Sequence, residues 1–252
     1  MELDGTAAIV TGAASGLGAA TAAALAARGV EVLGIDLDRA IDSAESAPDG
    51  VRLVAADVTS ESDVAAALAT LANGTPLRLA VNCAGIAPPK RILSSAGPHD
   101  LDLFRRVIEI NLIGTFNVLR LAAAAMADTA PDAEGQRGLI INTASVAAYE
   151  GQVGQAAYSA SKGGVVALTL TAARDLARNG IRVNTIAPGI VNTPMMAGLG
   201  EEVNASLAAS IPFPKRLARP TEFSQLVLMI AEHDYLNGET IRMDGAIRMA
   251  PQ

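Results

Sequence analysis

Residues 7–18, AAIVTGAASGLG, run from a short apolar stretch through a glycine-rich turn into an Ala/Leu-rich segment of helical period. Residues 7–10 predict a buried strand and residues 17–28 the helix after it, with Gly29 as the helix stop. Gly12, Gly16 and Gly18 fall where the strand ends and the helix begins. A phosphate-binding turn must bring backbone N–H groups close to charged oxygens, and glycines remove the side chains that would obstruct them. The helix N-terminus behind such a turn adds unpaired donors and the positive end of a dipole. The spacing, Gly12-x3-Gly16-x-Gly18, differs from GxGxxG, and taken alone a tight loop explains it as well.

Outward from this segment the same unit recurs. Strands are predicted at 31–35, 51–55, 77–82, 138–143, 182–187 and 239–243. Helices are predicted at 61–71, 101–127, 156–178 and 221–232. Residues 87–100, with three prolines, and 188–200 read as irregular loops, the second followed by a short helix. Strands separated by helices of this length imply parallel crossovers and a doubly wound α/β sheet with helices on both faces. No linker or repeat divides the 252 residues, so one domain is expected over 1–252, with a cofactor half at about 1–150 and a catalytic and substrate half at about 138–252.

Composition narrows the function classes. A net charge of -7 and a pI near 4.9 disfavour nucleic acid and anionic membrane as partners, since both reward clustered Lys and Arg. Cys83 is the sole cysteine, and His99 and His233 are the only histidines, so no metal site is expected. The first residues lack the pattern of a secretory signal, and apolar stretches such as 119–127 fall short of the roughly 20 residues of a membrane span. A cytoplasmic protein without a membrane span is the expectation.

Asp36 ends the second predicted strand, where an acidic side chain accepts hydrogen bonds from the ribose hydroxyls of an adenosine. Its charge repels a 2′-phosphate, which favours NAD over NADP; Arg39 nearby is the one residue that offsets this. Asp57 and Val58 close the third strand, at the adenine edge or as the lead into a helix. Asn82-Cys83-Ala84-Gly85 ends the fourth with small residues that let a cofactor lie against the sheet edge, and Cys83 reads as a packed residue rather than a nucleophile.

Tyr158 and Lys162 are four residues apart and share one helix face. A free tyrosine, with a pKa near 10, is a poor base, and a neighbouring ammonium favours its phenolate. Such a tyrosine donates a proton to a carbonyl oxygen in reduction and accepts one in oxidation. Ser145 follows the strand before this helix, where ligand crevices lie, and is placed to hydrogen-bond the same oxygen. The segment 190–207, rich in small and apolar residues, is expected to cover an apolar substrate.

Over essentially its whole length the chain resembles the short-chain dehydrogenase/reductase family. The matching elements are TGAASGLG, Asp57-Val58, NCAG, Asn111 within EINLIGTF, Ser145, YSASK and Ala187-Pro188-Gly189. The resemblance implies a single-domain Rossmann fold and a catalytic group of Asn111, Ser145, Tyr158 and Lys162, with the asparagine holding a water that links the lysine to solvent. Within the family, GLIINTASVAAYEGQVGQAAYSASKGG, INLIGTFNVLRL, PFPKRL and LNGETIRMDGAIRM are similar to the type-2 3-hydroxyacyl-CoA dehydrogenases. That likeness implies NAD-linked oxidation of short or branched (S)-3-hydroxyacyl-CoA, with some activity on steroid alcohols, by a homotetramer.

It also implies cofactor contacts from Ser15, Leu17, Asp36, Asp57, Val58, Cys83, Tyr158, Lys162, Val191 and Thr193, with Gly12, Gly16, Gly18, Ala84, Gly85 and Pro188 beside them. Substrate contacts fall to Ser145, Gln155 and Tyr158. Residues 87–103, APPKRILSSAGPHDLDL, depart from that group and bear on acyl-chain preference. Two alternatives stand: a 3-oxoacyl carrier-protein reductase using NADPH, against which Asp36 argues, and a noncatalytic assembly subunit that keeps the fold and binds RNA, against which the acidic charge argues.

Overall fold

The computed structural model describes every residue except 45, 46, 48, 49, 72, 73, 198, 199 and 252. In chain order the elements are β1 (Ala7–Thr11), α1 (Gly16–Ala26), β2 (Glu31–Asp36), α2 (Asp38–Asp42), β3 (Val51–Ala55), α3 (Glu61–Ala69) and β4 (Leu77–Asn82). There follow β5 (Leu93–Ser94), β6 (Gly97–Pro98), α4 (Leu101–Ile108), a π-helical turn (Glu109–Gly114), α5 (Thr115–Ala127) and β7 (Gly138–Thr143). A 3-10 turn (Val146–Ala148) leads to α6 (Ala156–Leu176), and β8 (Ile181–Pro188), α7 (Pro194–Ala197), α8 (Glu201–Ser210), α9 (Pro220–Glu232) and β9 (Thr240–Met243) complete the chain.

Seven strands form one parallel sheet in the order β3-β2-β1-β4-β7-β8-β9. The chain moves outward from β1 through β2 to β3, then returns past β1 to begin the other half at β4. The order therefore reverses between β1 and β4, and the ends of these two strands form the crevice where open α/β sheets take ligands. Alternation along the strands splits the core. Ala7 and Ile9 face α3, α5 and α6, while Ala8 and Val10 face α1 and α9. Both sheet faces are covered, which is why the strands read as continuous apolar runs.

Two expectations need correction. The loop at 87–100 contains the antiparallel pair β5–β6, Leu93 opposite Pro98 and Ser94 opposite Gly97, too short for a periodic signal. Apolar length was also understated from 119–127. Residues Leu101–Ala127 form one helix that is long and apolar enough, by composition, to cross a bilayer. Half of its most apolar stretch is buried inside the fold, against β4 and α6 among others.

Candidate active site

The glycine turn closes tightly on the sheet. Gly12 has φ +65°, and a Cβ there would lie 3.0 Å from the Ala84 nitrogen. A Cβ on Gly18 would stand 2.1 Å from the Gly12 carbonyl oxygen, so α1 rises from β1 at a distance that only glycine permits. The Thr11 hydroxyl accepts from the Cys83 and Ala84 nitrogens, both at 3.0 Å, bracing the ends of β1 and β4 across the crevice. Ser15 is the N-cap of α1 yet makes no side-chain cap bond, and Leu17 is half-buried behind it. Among the described residues the first-turn N–H groups meet no side-chain cap, which leaves them open to an anion.

Asp36 folds back toward this turn. Its carboxylate accepts from the Ala14 nitrogen at 3.1 Å and the Leu37 nitrogen at 2.8 Å. Asp57 is turned to its own loop, accepting from the Thr59 nitrogen at 2.9 Å and hydroxyl at 2.8 Å. Val58 is buried and packs beside Gly114, and its carbonyl accepts from Asn117. Across the crevice, Pro188 ends β8, Val191 bridges to Ala218, and Thr193 lies 3.4 Å from where a Gly16 Cβ would stand. A narrow cradle of glycines, an acidic strand end and uncapped helix donors fit a dinucleotide.

On the other side of the switch point, Ser145 caps the 3-10 turn after β7 by accepting from the Ala147 nitrogen at 3.1 Å. Tyr158 and Lys162 project from the first two turns of α6. The Lys162 ammonium is buried, 5.8 Å from the centroid of the Tyr158 ring, and donates to the Thr143 carbonyl at 2.6 Å. Burial brings its pKa down from 10.5 to about 8. The expected lowering of the phenol by Lys162 is not what the protein groups give. Burial pushes the Tyr158 phenol above its ordinary value, and only Ser145 opposes this. Desolvation disfavours the phenolate more than these neighbours favour it.

Asn111 lies in the π-helical turn and is fully buried. Its amide clamps the backbone of one residue, accepting from the Ile86 nitrogen at 2.8 Å and donating to the Ile86 oxygen at 2.9 Å, and also donates to Ser161 Oγ at 3.1 Å. A Cβ on Gly85 would meet Asn111 Oδ1 at 3.1 Å and Lys162 Nζ at 3.7 Å, which places these three together. Its side chain fixes the strand-end loop over the lysine. Gln155 is the N-cap residue of α6, and its amide oxygen accepts from the Gln152 nitrogen at 3.0 Å. Cys83 has its thiol pushed up to about 11 by burial, with the Thr143 hydroxyl 3.7 Å from its sulfur, which suits a packed residue and not a nucleophile.

A family model, short chain dehydrogenase, matches residues 6–204, which include the glycine turn, Ser145, Tyr158 and Lys162. The chain belongs to the short chain dehydrogenase family. This short chain dehydrogenase is 54% identical over 256 residues to human 3-hydroxyacyl-CoA dehydrogenase type-2, covering 99% of this chain and 98% of the relative. It is 53% identical to the Drosophila melanogaster protein of the same name, over 96% and 97% of the two chains. The crystal structure of 3-hydroxyacyl-CoA dehydrogenase type-2 from Mycobacterium avium superposes with a TM-score of 0.92 at 45% identity, over 98% of each chain.

Thr11, Thr143 and Ser161 are the site residues of this short chain dehydrogenase that sequence reading missed. Thr11 and Ser161 sit inside the quoted motifs, where a hydroxyl beside the glycine turn or one residue before the lysine was the available signal. Thr143 contributes a backbone carbonyl, which no side-chain pattern reveals.

Proposed function

We propose that this oxidoreductase uses NAD to interconvert a short or branched (S)-3-hydroxyacyl-CoA and its 3-oxoacyl-CoA, with steroid alcohols as further substrates of the same pocket. The observation that carries the chemistry is the placement of Ser145 beside the Tyr158 phenol, above a buried Lys162 and next to the glycine cradle. NAD, when bound, supplies the ring carbon that takes the hydride. Ser145 hydrogen-bonds the reacting oxygen and steadies its charge. Tyr158 takes the hydroxyl proton in oxidation as the phenolate and returns it in reduction as the phenol, the form that burial favours. Lys162, oriented by the Thr143 carbonyl, supplies the positive field that stabilises the phenolate as it forms.

Preference for NAD rests on Asp36, whose carboxylate stands at the end of β2 where a 2′-phosphate would be repelled. The 3-hydroxyacyl-CoA substrate class rests on the names of the relatives. Homotetramer assembly is supported by the apolar surface of Ile113, Phe116 and Leu170 on α5, α6 and the π-helical turn. A cytoplasmic location completes the reading.

Purified protein with NAD and 3-hydroxybutyryl-CoA should generate NADH absorbance, and far less with NADP. Tyr158→Phe should reduce turnover by about a thousandfold, within the range that proton transfer contributes, with the Kd for NAD within about twofold. Turnover retained in that variant would remove Tyr158 from the acid/base role. Light scattering at micromolar concentration reads the assembly, a monomer being the adverse result.

A further inference from the structure

Twelve residues separate Ser145 from Tyr158, and the connection between them must hold both side chains on one reacting oxygen. Little apolar burial fixes its middle. Tyr149 is 48% exposed and Val153 is 51% exposed; Gly151 lies between them, and Gly154, at φ +91°, follows Val153. The Lys90 nitrogen donates to the Gly154 carbonyl at 2.8 Å, and the remaining ties of this loop to distant parts of the chain run to β9 and the tail after it. Arg242 of β9 donates to both oxygens of the Glu150 carboxylate, at 2.8 and 3.0 Å, and its guanidinium stands 5.3 Å from the Tyr149 ring centroid. Glu150 also pairs with Arg248 at 3.3 Å and accepts from the Met249 nitrogen at 3.3 Å.

Further along, Gln152 Nε2 donates to the Ala250 carbonyl and the Val153 nitrogen to the Pro251 carbonyl, both at 3.0 Å. Asp244 holds Arg242 from its other side at 2.7 Å and Arg248 at 3.1 Å. The pairs involving Arg242 are shielded, with Glu150 and Arg242 each 23% exposed and Asp244 9%, so these bonds are stronger than those of a free surface pair.

We infer that residues 244–251 act as a strap on the loop 149–155, and that Glu150 and Arg242 are positioning residues for Ser145 and Gln155 on the substrate side of the site. Neither touches the glycine cradle, so their effect falls on the alcohol and not on NAD. A loop displaced by about 1 Å costs on the order of a hundredfold in rate when it carries a reacting group's partner. The inference rests on the dehydrogenase chemistry proposed above, though not on which alcohol is oxidised.

Two changes test it: Glu150→Gln, and a chain ending at Ile247, which removes Arg248, the Met249 nitrogen and the carbonyls of Ala250 and Pro251. Each should lower kcat/KM at least about tenfold at a temperature where circular dichroism shows the fold intact, with the Kd for NAD within about twofold. Because both act through one strap, the combined variant should lose little more than the worse single. Glu150→Asp, which keeps the charge, should recover part of the loss. Amide exchange should speed up in peptides covering 146–157 and stay unchanged over 12–18, a readout that does not need turnover. Unchanged kcat and KM with only Tm lowered, or a Kd for NAD that rises in step with the loss, would overturn the strap, as would unaltered exchange. A parent protein that turns over no alcohol would instead refute the proposed function, while the exchange result still decides the strap.

Discussion

Lys162 shows how a single residue trades stability for chemistry. It is 4% exposed and, among the described residues, its ammonium has one hydrogen-bond acceptor, the Thr143 carbonyl. Holding a lysine whose pKa has dropped from 10.5 to about 8 costs on the order of 3 kcal/mol at neutral pH. The folded value lies below the unfolded one, so between about pH 8 and 10.5 the unfolded chain holds this proton more tightly and stability from this group rises with pH. Lys162→Met should therefore stabilise the fold at pH 7 by up to about 2 kcal/mol after the lost bond to Thr143, read as a higher urea midpoint, and abolish turnover. The gain over the parent should shrink as pH approaches 10.5. A variant less stable than the parent at pH 7 would mean the ammonium is better solvated than its burial indicates. At this scale the sequence was informative where chemistry needs a side chain at a fixed spacing, as with Tyr158 and Lys162. It misled on the phenol, because a four-residue spacing reports proximity but not desolvation, and desolvation dominates Tyr158.

Among the elements, the strands and long helices were legible because sheet and helix impose different periods on buried residues. Both ends of α6 show this: it begins one residue after Gln155, and the chain leaves the following 3-10 turn at Gly180, φ +69°. What was not legible has local causes. The π-helical turn Glu109–Gly114 interrupts an unbroken apolar period without proline, and α2 is only five residues long. The Gly12–Gly18 contact, by contrast, is a close approach that three glycines announced. Gly18→Ala would place a methyl 2.1 Å from the Gly12 carbonyl, against backbone that cannot rotate away. A destabilisation of about 3 kcal/mol or more is expected, with NAD binding weakened at temperatures where the variant is still folded. Gly163, inside α6 with nothing within 4 Å of its notional Cβ, is the control. There Gly→Ala should stabilise by up to about 1 kcal/mol on helix propensity alone. Equal tolerance of both changes in thermal melts would show that α1 can shift away from β1, and that the cradle is looser than its geometry.

At the scale of the whole molecule, one arginine ties β8 to α9 and to the segment before β7, at the end of the sheet opposite the crevice. Arg182, 5% exposed at the start of β8, donates to Gln136 Oε1 at 2.9 Å and to the carbonyls of Ile230, Ala231, His233 and Leu236 at 2.9–3.2 Å. It thereby satisfies carbonyls at and beyond the C-terminus of α9, where cations are also favoured by the helix dipole. Asp234 lies 3.7 Å from it and also pairs with the amino group of Met1, so the chain's start joins the same cluster. An arginine opening a strand has no periodic signature, which is why sequence reading passed over it. Because α9 packs on α1, the helix behind the glycine turn, loss of this tie should reach the nucleotide site through packing. Arg182→Leu strands several buried carbonyls and should cost roughly 3–5 kcal/mol, read as a lower urea midpoint at unchanged m-value. Arg182→Lys should recover less than half of that, since one ammonium cannot span the spread of acceptors that the planar guanidinium reaches. The Kd for NAD should rise in the leucine variant before its global transition begins. A cost below about 1 kcal/mol would show that water replaces the guanidinium at these carbonyls, and that α9 is held to the sheet by its apolar face alone.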